Sequence, residues 1–397
     1  MVARNLNTGV VCMFQASISS TRRAAARRSS RRALLIVAVV QGAALSFPAQ
    51  AGLFDAISDL SKAVSEGRAK ADAKQDAAFE EDTSNKFPPY QFAAPAASQS
   101  VRYVEAVRGS NFKNIKKIGI VNFSVEFALF KEVTAMGGSQ YHGTARDATK
   151  SMKIPQPDVA RLQQVVDKLY TQTAEDFAAM GIEVVPFERL KATKNYGELA
   201  PAQHASPWLT DTSDSQSVFI APTGMPLYMD NPDRADFLKG LGFTFGTNTR
   251  MKEVMMTYDL NQEVHLVSVN MVVDFAALKT SGRSFLSVAS TRGANLHHLH
   301  ANDTSYRFVS TTQPELMVIK LKQPLVSDVR LVAETATVKG QTSTQTFNTT
   351  GMAVQTTQTD TSVRGVDQFD METYYRRSGD MLDASRQMFA AELRKLQ

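Results

Sequence analysis

Residues 118–187 constrain the fold more than any other stretch. Ile118-Gly-Ile-Val-Asn-Phe-Ser-Val-Glu-Phe127 is mostly apolar in its first half and alternates in its second, as a strand does when one end is buried on both faces. A Gly-rich excursion follows through Gly137, Gly138 and Gly143 to Pro155 and Pro157. Asp158 then stands at an N-cap position, and Val159, Leu162, Val165, Val166, Leu169, Phe177 and Met180 recur along one side of a helix. Gly181 supplies a stop, and Ile182-Glu-Val-Val-Pro-Phe187 reads as the next strand, with Pro186 limiting its pairing. Strand, helix and strand in this order form a β-α-β unit, whose crossover makes the two strands parallel. The expected class is α/β (α+β), a mixed sheet opened by this unit.

Further elements extend the sheet. Val264–Phe275 reads as a long strand partly buried on both faces, and Ser284–Ser290 and Glu315–Lys322 as shorter ones. Residues 328–363 alternate and are rich in Thr and Gln, which predicts an antiparallel meander with turns at Gly340 and Gly351. A C-terminal helix over 370–396 carries Tyr374, Tyr375, Met381, Leu382, Met388, Phe389, Leu393 and Leu396. Residues 128–157 and 200–249 read as irregular insertions. The second is broken by Pro201, Pro207, Pro222, Pro226 and Pro232 and holds the only Trp, Trp208.

The first 51 residues read as an export signal. Seven Arg and no Lys, Asp or Glu precede and flank an apolar run, Ala33–Leu45, and Ala49-Gln50-Ala51 offers a cleavage site before Gly52. That run has 13 residues, short of the ~20 that span a bilayer as a helix. The Arg31-Arg32 pair also fits a twin-arginine route, although no cofactor motif calls for export of a folded protein. The expected location is periplasmic or secreted. Without those seven arginines the basic count falls from 44 to 37 against 39 acidic residues, so the net charge of +5 belongs to the signal and nucleic acid is not an expected partner. Cys12, the only Cys, lies in the same segment, which leaves no thiol for catalysis, disulfides or lipidation after cleavage.

Four regions follow: the signal at 1–51, a helix at 52–83, a Pro/Ala/Ser linker at 84–100 and a mixed α/β domain at 101–397. The helix sets Leu53, Phe54, Ile57, Leu60 and Val64 at helical spacing, a stripe that either docks on its own domain or meets a partner. Its balanced charges weaken a membrane-surface role. Pro88, Pro89 and Pro95 argue against regular helix in the linker.

Chemical motifs are sparse. There is no G-x-x-x-x-G-K, G-x-S-x-G or H-E-x-x-H, and no cofactor is expected. The exception is Leu296-His-His-Leu-His300 with Asp303 behind it, which holds three of the six His. On a strand His298 and His300 share a face and can offer neutral imidazoles to Zn²⁺ or Cu²⁺, with a further ligand such as His265 or His142 brought from elsewhere. Gly293, Asn295, Asn302 and Asp303 crowd around the cluster and favour a polar loop over a metal site.

The strand Ile118–Phe123, the helix ending Phe177-Ala-Ala-Met-Gly181 and the strand Ile182–Phe187 leading into Glu188-Arg-Leu190 resemble a periplasmic α/β module. That module is shared by the curli secretion-channel protein and lipoprotein activators of penicillin-binding proteins. The resemblance covers about 115–195 and 262–290. It implies an envelope assembly or regulatory protein that works by protein contacts or self-association, without catalysis. The lipidated Cys of those proteins is missing here, and the two insertions depart from the pattern. Residues 328–363 are too rich in Thr and Gln on both faces for a lipid-facing band. The first expectation is thus an exported, non-enzymatic envelope protein. The alternative is a small-ligand or metal-binding protein using His297–His300, and the third is an enzyme whose site no motif marks.

Overall fold

A computed structural model describes residues 74–137, 144–212, 214–228, 249–281, 290–331, 334–345, 354–364 and 369–397, all within one compact unit that begins at Ser65. The expected export signal with its Ala51–Gly52 site, the stripe Leu53–Val64 and His142 lie outside the described residues.

Residues 74–86 are helical (α1). The chain continues through α2 (Ala96–Tyr103), β1 (Val104–Val107), β2 (Lys117–Gly137), β3 (Thr144–Lys153), α3 (Val159–Ala179), β4 (Glu183–Val184), α4 (Phe187–Lys191) and α5 (Lys194–Gly197). Next come β5 (Trp208–Asp211), β6 (Ser215–Ile220), α6 (Thr249–Asp259), β7 (His265–Ser281), β8 (Ser290–Leu299), β9 (Ser305–Val309), β10 (Met317–Leu321) and β11 (Leu325–Val326). β12 (Glu334–Gln345), β13 (Val354–Arg364) and α7 (Met371–Leu396) close the chain. The described strands form one mixed 13-stranded sheet, with β1-β10-β9-β7-β2-β3-β12-β13 as its main order.

The expected β-α-β unit is present. Asp158 accepts a hydrogen bond from Ala160 N at the start of α3, and Gly181 ends it at φ +72°, a conformation open to glycine. β4 pairs parallel with β2, but over Glu183–Val184 alone, because Pro186 already caps α4. The longer parallel partner of β2 is β7, which runs beside it from Ile118↔His265 to Phe127↔Val273.

One extra residue in β2 explains how this ladder serves two cores. The register steps from Ile120↔Val267 to Asn122↔Ser268, so Val121 is a bulge. A bulge flips the side on which alternate residues point. Ile118 and Ile120, then Phe123, Val125 and Phe127, join the larger core beneath α2, α3 and α7, while Val121 joins a smaller one with Leu190, Tyr196 and Val254 of α4, α5 and α6. Each such buried Leu, Ile or Phe contributes about 1.5–3 kcal/mol.

Four expectations need correction. Residues 128–157 are no irregular insertion: β2 runs on to Gly137 and returns as β3, paired from Phe130↔Lys153 to Gly137↔Arg146. Residues 200–249 hold the hairpin β5–β6, with β6 paired to β2. Gly340 is no turn either, since it sits mid-strand between Thr359 of β13 and Asp147 of β3. Finally, the 84–100 linker joins the core. Tyr90 N donates to Val326 O, the Tyr90 ring is buried, and Pro95 opens α2 from the position before its first turn, where proline blocks nothing. Among the described residues no helix is long and apolar enough to cross a membrane.

Candidate metal centre

β8 pairs antiparallel with the second half of β7, and the ladder sets Asp274 directly opposite His298. The register then jumps to Ala276↔Asn295, so β8 carries an extra residue here. Bulges of this kind leave backbone donors without ladder partners. Asp274 resolves this itself, its Oδ1 accepting from Phe275 N at 2.8 Å and Ala276 N at 3.1 Å. His300 lies just past β8, with its N–H donating to Val272 O at 2.9 Å. Two residues apart on extended backbone, His298 and His300 point the same way. Their ring centres are 5.7 Å apart.

Asp274, His298 and His300 each bring one ligand atom to a point where all three lie within 4.8 Å of one another. Both imidazoles are oriented from behind. His298 Nδ1 sits 2.7 Å from Leu296 O, and His300 Nδ1 sits 2.7 Å from Asp303 Oδ2. A carbonyl or carboxylate beside one ring nitrogen orients an imidazole so that the other nitrogen can face a metal, as behind metal-bound histidines. Asp303 reaches back because the chain turns tightly at Asn302, which adopts φ +66°, a conformation asparagine tolerates better than most residues. The polar turn after the cluster is therefore part of its support.

Charges follow from burial. Burial opposes ionisation of Asp274, but Lys131 beside it and the Ala276 N–H outweigh this and bring its carboxyl down to about 2. Desolvation lowers the pKa of His298, keeping it neutral as a ligand must be, whereas the bond to Asp303 raises that of His300. His300 remains 44% exposed, so the group opens to solvent on that side. Lys131 Nζ bonds to Asp274 Oδ2. Ligands ~2.1 Å from a tetrahedral ion lie ~3.4 Å from one another, so small side-chain rotations would close the set around an ion.

His297 does not belong to this group. It points to the other face, where Nε2 lies 3.0 Å from Ser378 Oγ of α7 and the ring packs on Tyr374. Both partners are sealed from solvent, so this Ser–His pair meets no substrate. Nor is His265 the additional ligand. It opens β7, nine residues or ~30 Å along the strand from Asp274. The third member of the group is Asp274, which hydropathy does not mark, because only the hairpin register and its bulge bring it to the histidines. Searches of family models, curated proteins and solved structures find no match to this chain.

Proposed function

We propose that this chain is an exported protein that binds one divalent transition-metal ion through Asp274, His298 and His300. The observation that carries the reading is the gathering of two imidazoles on a buried carboxylate, with His298 opposite Asp274 on one rung of the β7–β8 ladder and His300 just past its end. Two nitrogens and one oxygen suit Zn²⁺, and such a set leaves a further position for water or a small ligand. Periplasmic or extracellular location follows from the export signal and is part of the proposal. Purified chain equilibrated with zinc and dialysed should retain about one zinc per molecule by elemental analysis. The double variant His298→Ala/His300→Ala should retain none. Substoichiometric zinc in the unaltered protein would sink the reading.

A second reading, an envelope protein that works through contacts with other proteins, is supported by the end of the sheet. β13 pairs with β12 along its 11 residues, and no described strand pairs with its other edge. Such an edge presents backbone donors and acceptors to a further strand. Light scattering with and without mild detergent tests it: a defined oligomer supports contacts between copies, and a monomer in both conditions removes that version.

A further inference from the structure

We propose that Lys131 is the built-in competitor of the metal: its ammonium holds the carboxylate oxygen the ion needs, and metal binding expels it. The inference rests on the metal reading above. Asp274 has two oxygens. Oδ1 is committed to the bulge through Phe275 N and Ala276 N. Oδ2 is the one bonded to Lys131. The oxygen free to turn toward His298 and His300 is thus the one that Lys131 occupies. A divalent ion there would stand within a few ångströms of an ammonium group, beside a carboxylate side chain only 4% exposed. Like charges that close in a poorly hydrated site repel strongly.

Lys131 has an exit. Its side chain is 32% exposed, so the amine reaches water by rotation of its own stem. It also stands where the two long strands part. The β2–β7 ladder ends at Phe127↔Val273, and from Phe130 onward β3 is the partner of β2. The Lys131–Asp274 pair therefore ties β2 to β7 beyond their last rung. Metal binding would trade this tie for one between β7 and the end of β8, so occupancy of the site is read out in the position of β2's side chain.

The test uses the full chain and zinc alone, titrated in competition with a chromophoric chelator. Lys131→Met removes the charge and keeps most of the stem, and should bind zinc at least roughly tenfold more tightly. Lys131→Arg keeps the charge and should stay within a few-fold of the unaltered protein. Equal or weaker zinc binding by Lys131→Met overturns the inference. A second measurement needs no variant: amine acetylation at Lys131, followed by peptide mass spectrometry, should run several-fold faster with zinc bound. An unchanged or slower rate overturns it as well. Zinc binding by neither the unaltered protein nor Lys131→Met is instead the failure of the metal reading. Zinc held equally by both is the failure of this inference alone.

Discussion

His297 and Asp274 lie on paired strands and answer acid one after the other as pH falls. Burial, with the Arg377 guanidinium adding to it, drops the His297 imidazole to about 3. In the unfolded chain the same ring takes a proton near 6.5. Between these values the unfolded state binds more protons, so stability is full above about pH 6.5 and falls by several kcal/mol as pH drops toward 3. In the metal-free protein, His297→Gln should flatten much of this fall in urea melts from pH 7 to pH 4. A shallower slope must remain, since His298 is lowered in the same direction. Asp274 acts lower down. Its carboxyl titrates at about 2 in the fold against 3.8 unfolded. Its contribution, about 2 kcal/mol, is present above pH 4 and lost as pH falls through 2. Asp274→Asn should therefore be less stable at pH 5 and show a flatter profile between pH 4 and pH 2.5. An unaltered slope in that variant would contradict the assignment.

Among the elements, α1 is held to the sheet by a buried charge. Lys150 of β3 is 2% exposed and bonds to Asp76 of α1, whose other oxygen accepts from Gly293 N at 3.3 Å. Gly293 leaves the space, because a Cβ there would meet Lys150 Cε at 2.9 Å. Removing one member of a buried pair strands the other, which costs about 3–5 kcal/mol, whereas an apolar replacement of the buried cation strands only a carboxylate that reaches water. Asp76→Ala should thus lower stability by about 3 kcal/mol and expose residues 74–86 to protease. Lys150→Met should be the milder change, since Asp76 is 24% exposed. The reverse order in urea midpoints would count against a buried pair as the anchor. The same elements mark what sequence alone can reach. The β2–α3–β4 unit, β7, β10 and α7 were legible because periodicity and caps act over neighbouring residues. The β2–β3 hairpin was not: 128–137 and 144–153 owe their strand conformation to partners in β12, β6 and each other, and no local pattern states a register. His298 and His300 were visible as an alternating pair. Asp274 and Lys131 became visible only once two bulges had set which residues face one another.

Across the whole molecule, the sheet is flanked by two cores where β2 and β7 run side by side, and beyond Phe127 and Val273 each strand pairs into its own hairpin. Asp274, His298 and His300 sit at that parting point, on β7 and the end of β8, with Lys131 reaching in from β2. An ion bound there joins segments that only the folded chain brings together, so its binding energy is folding energy. Zinc at about 100 times its dissociation constant should add ~2.7 kcal/mol to stability. At ~1.4 °C per kcal/mol for a chain of this size, Tm should rise by about 4 °C, and further as zinc is increased. His300→Ala separates this from binding by the unfolded chain. It removes one ligand of six His in the sequence and little buried surface, so the unfolded state keeps nearly all of its weak zinc sites while the folded site is lost. Zinc should then leave Tm unchanged or lower it. An equal rise in both proteins would place the ion elsewhere, and the parting point of β2 and β7 would be a structural junction without a metal role.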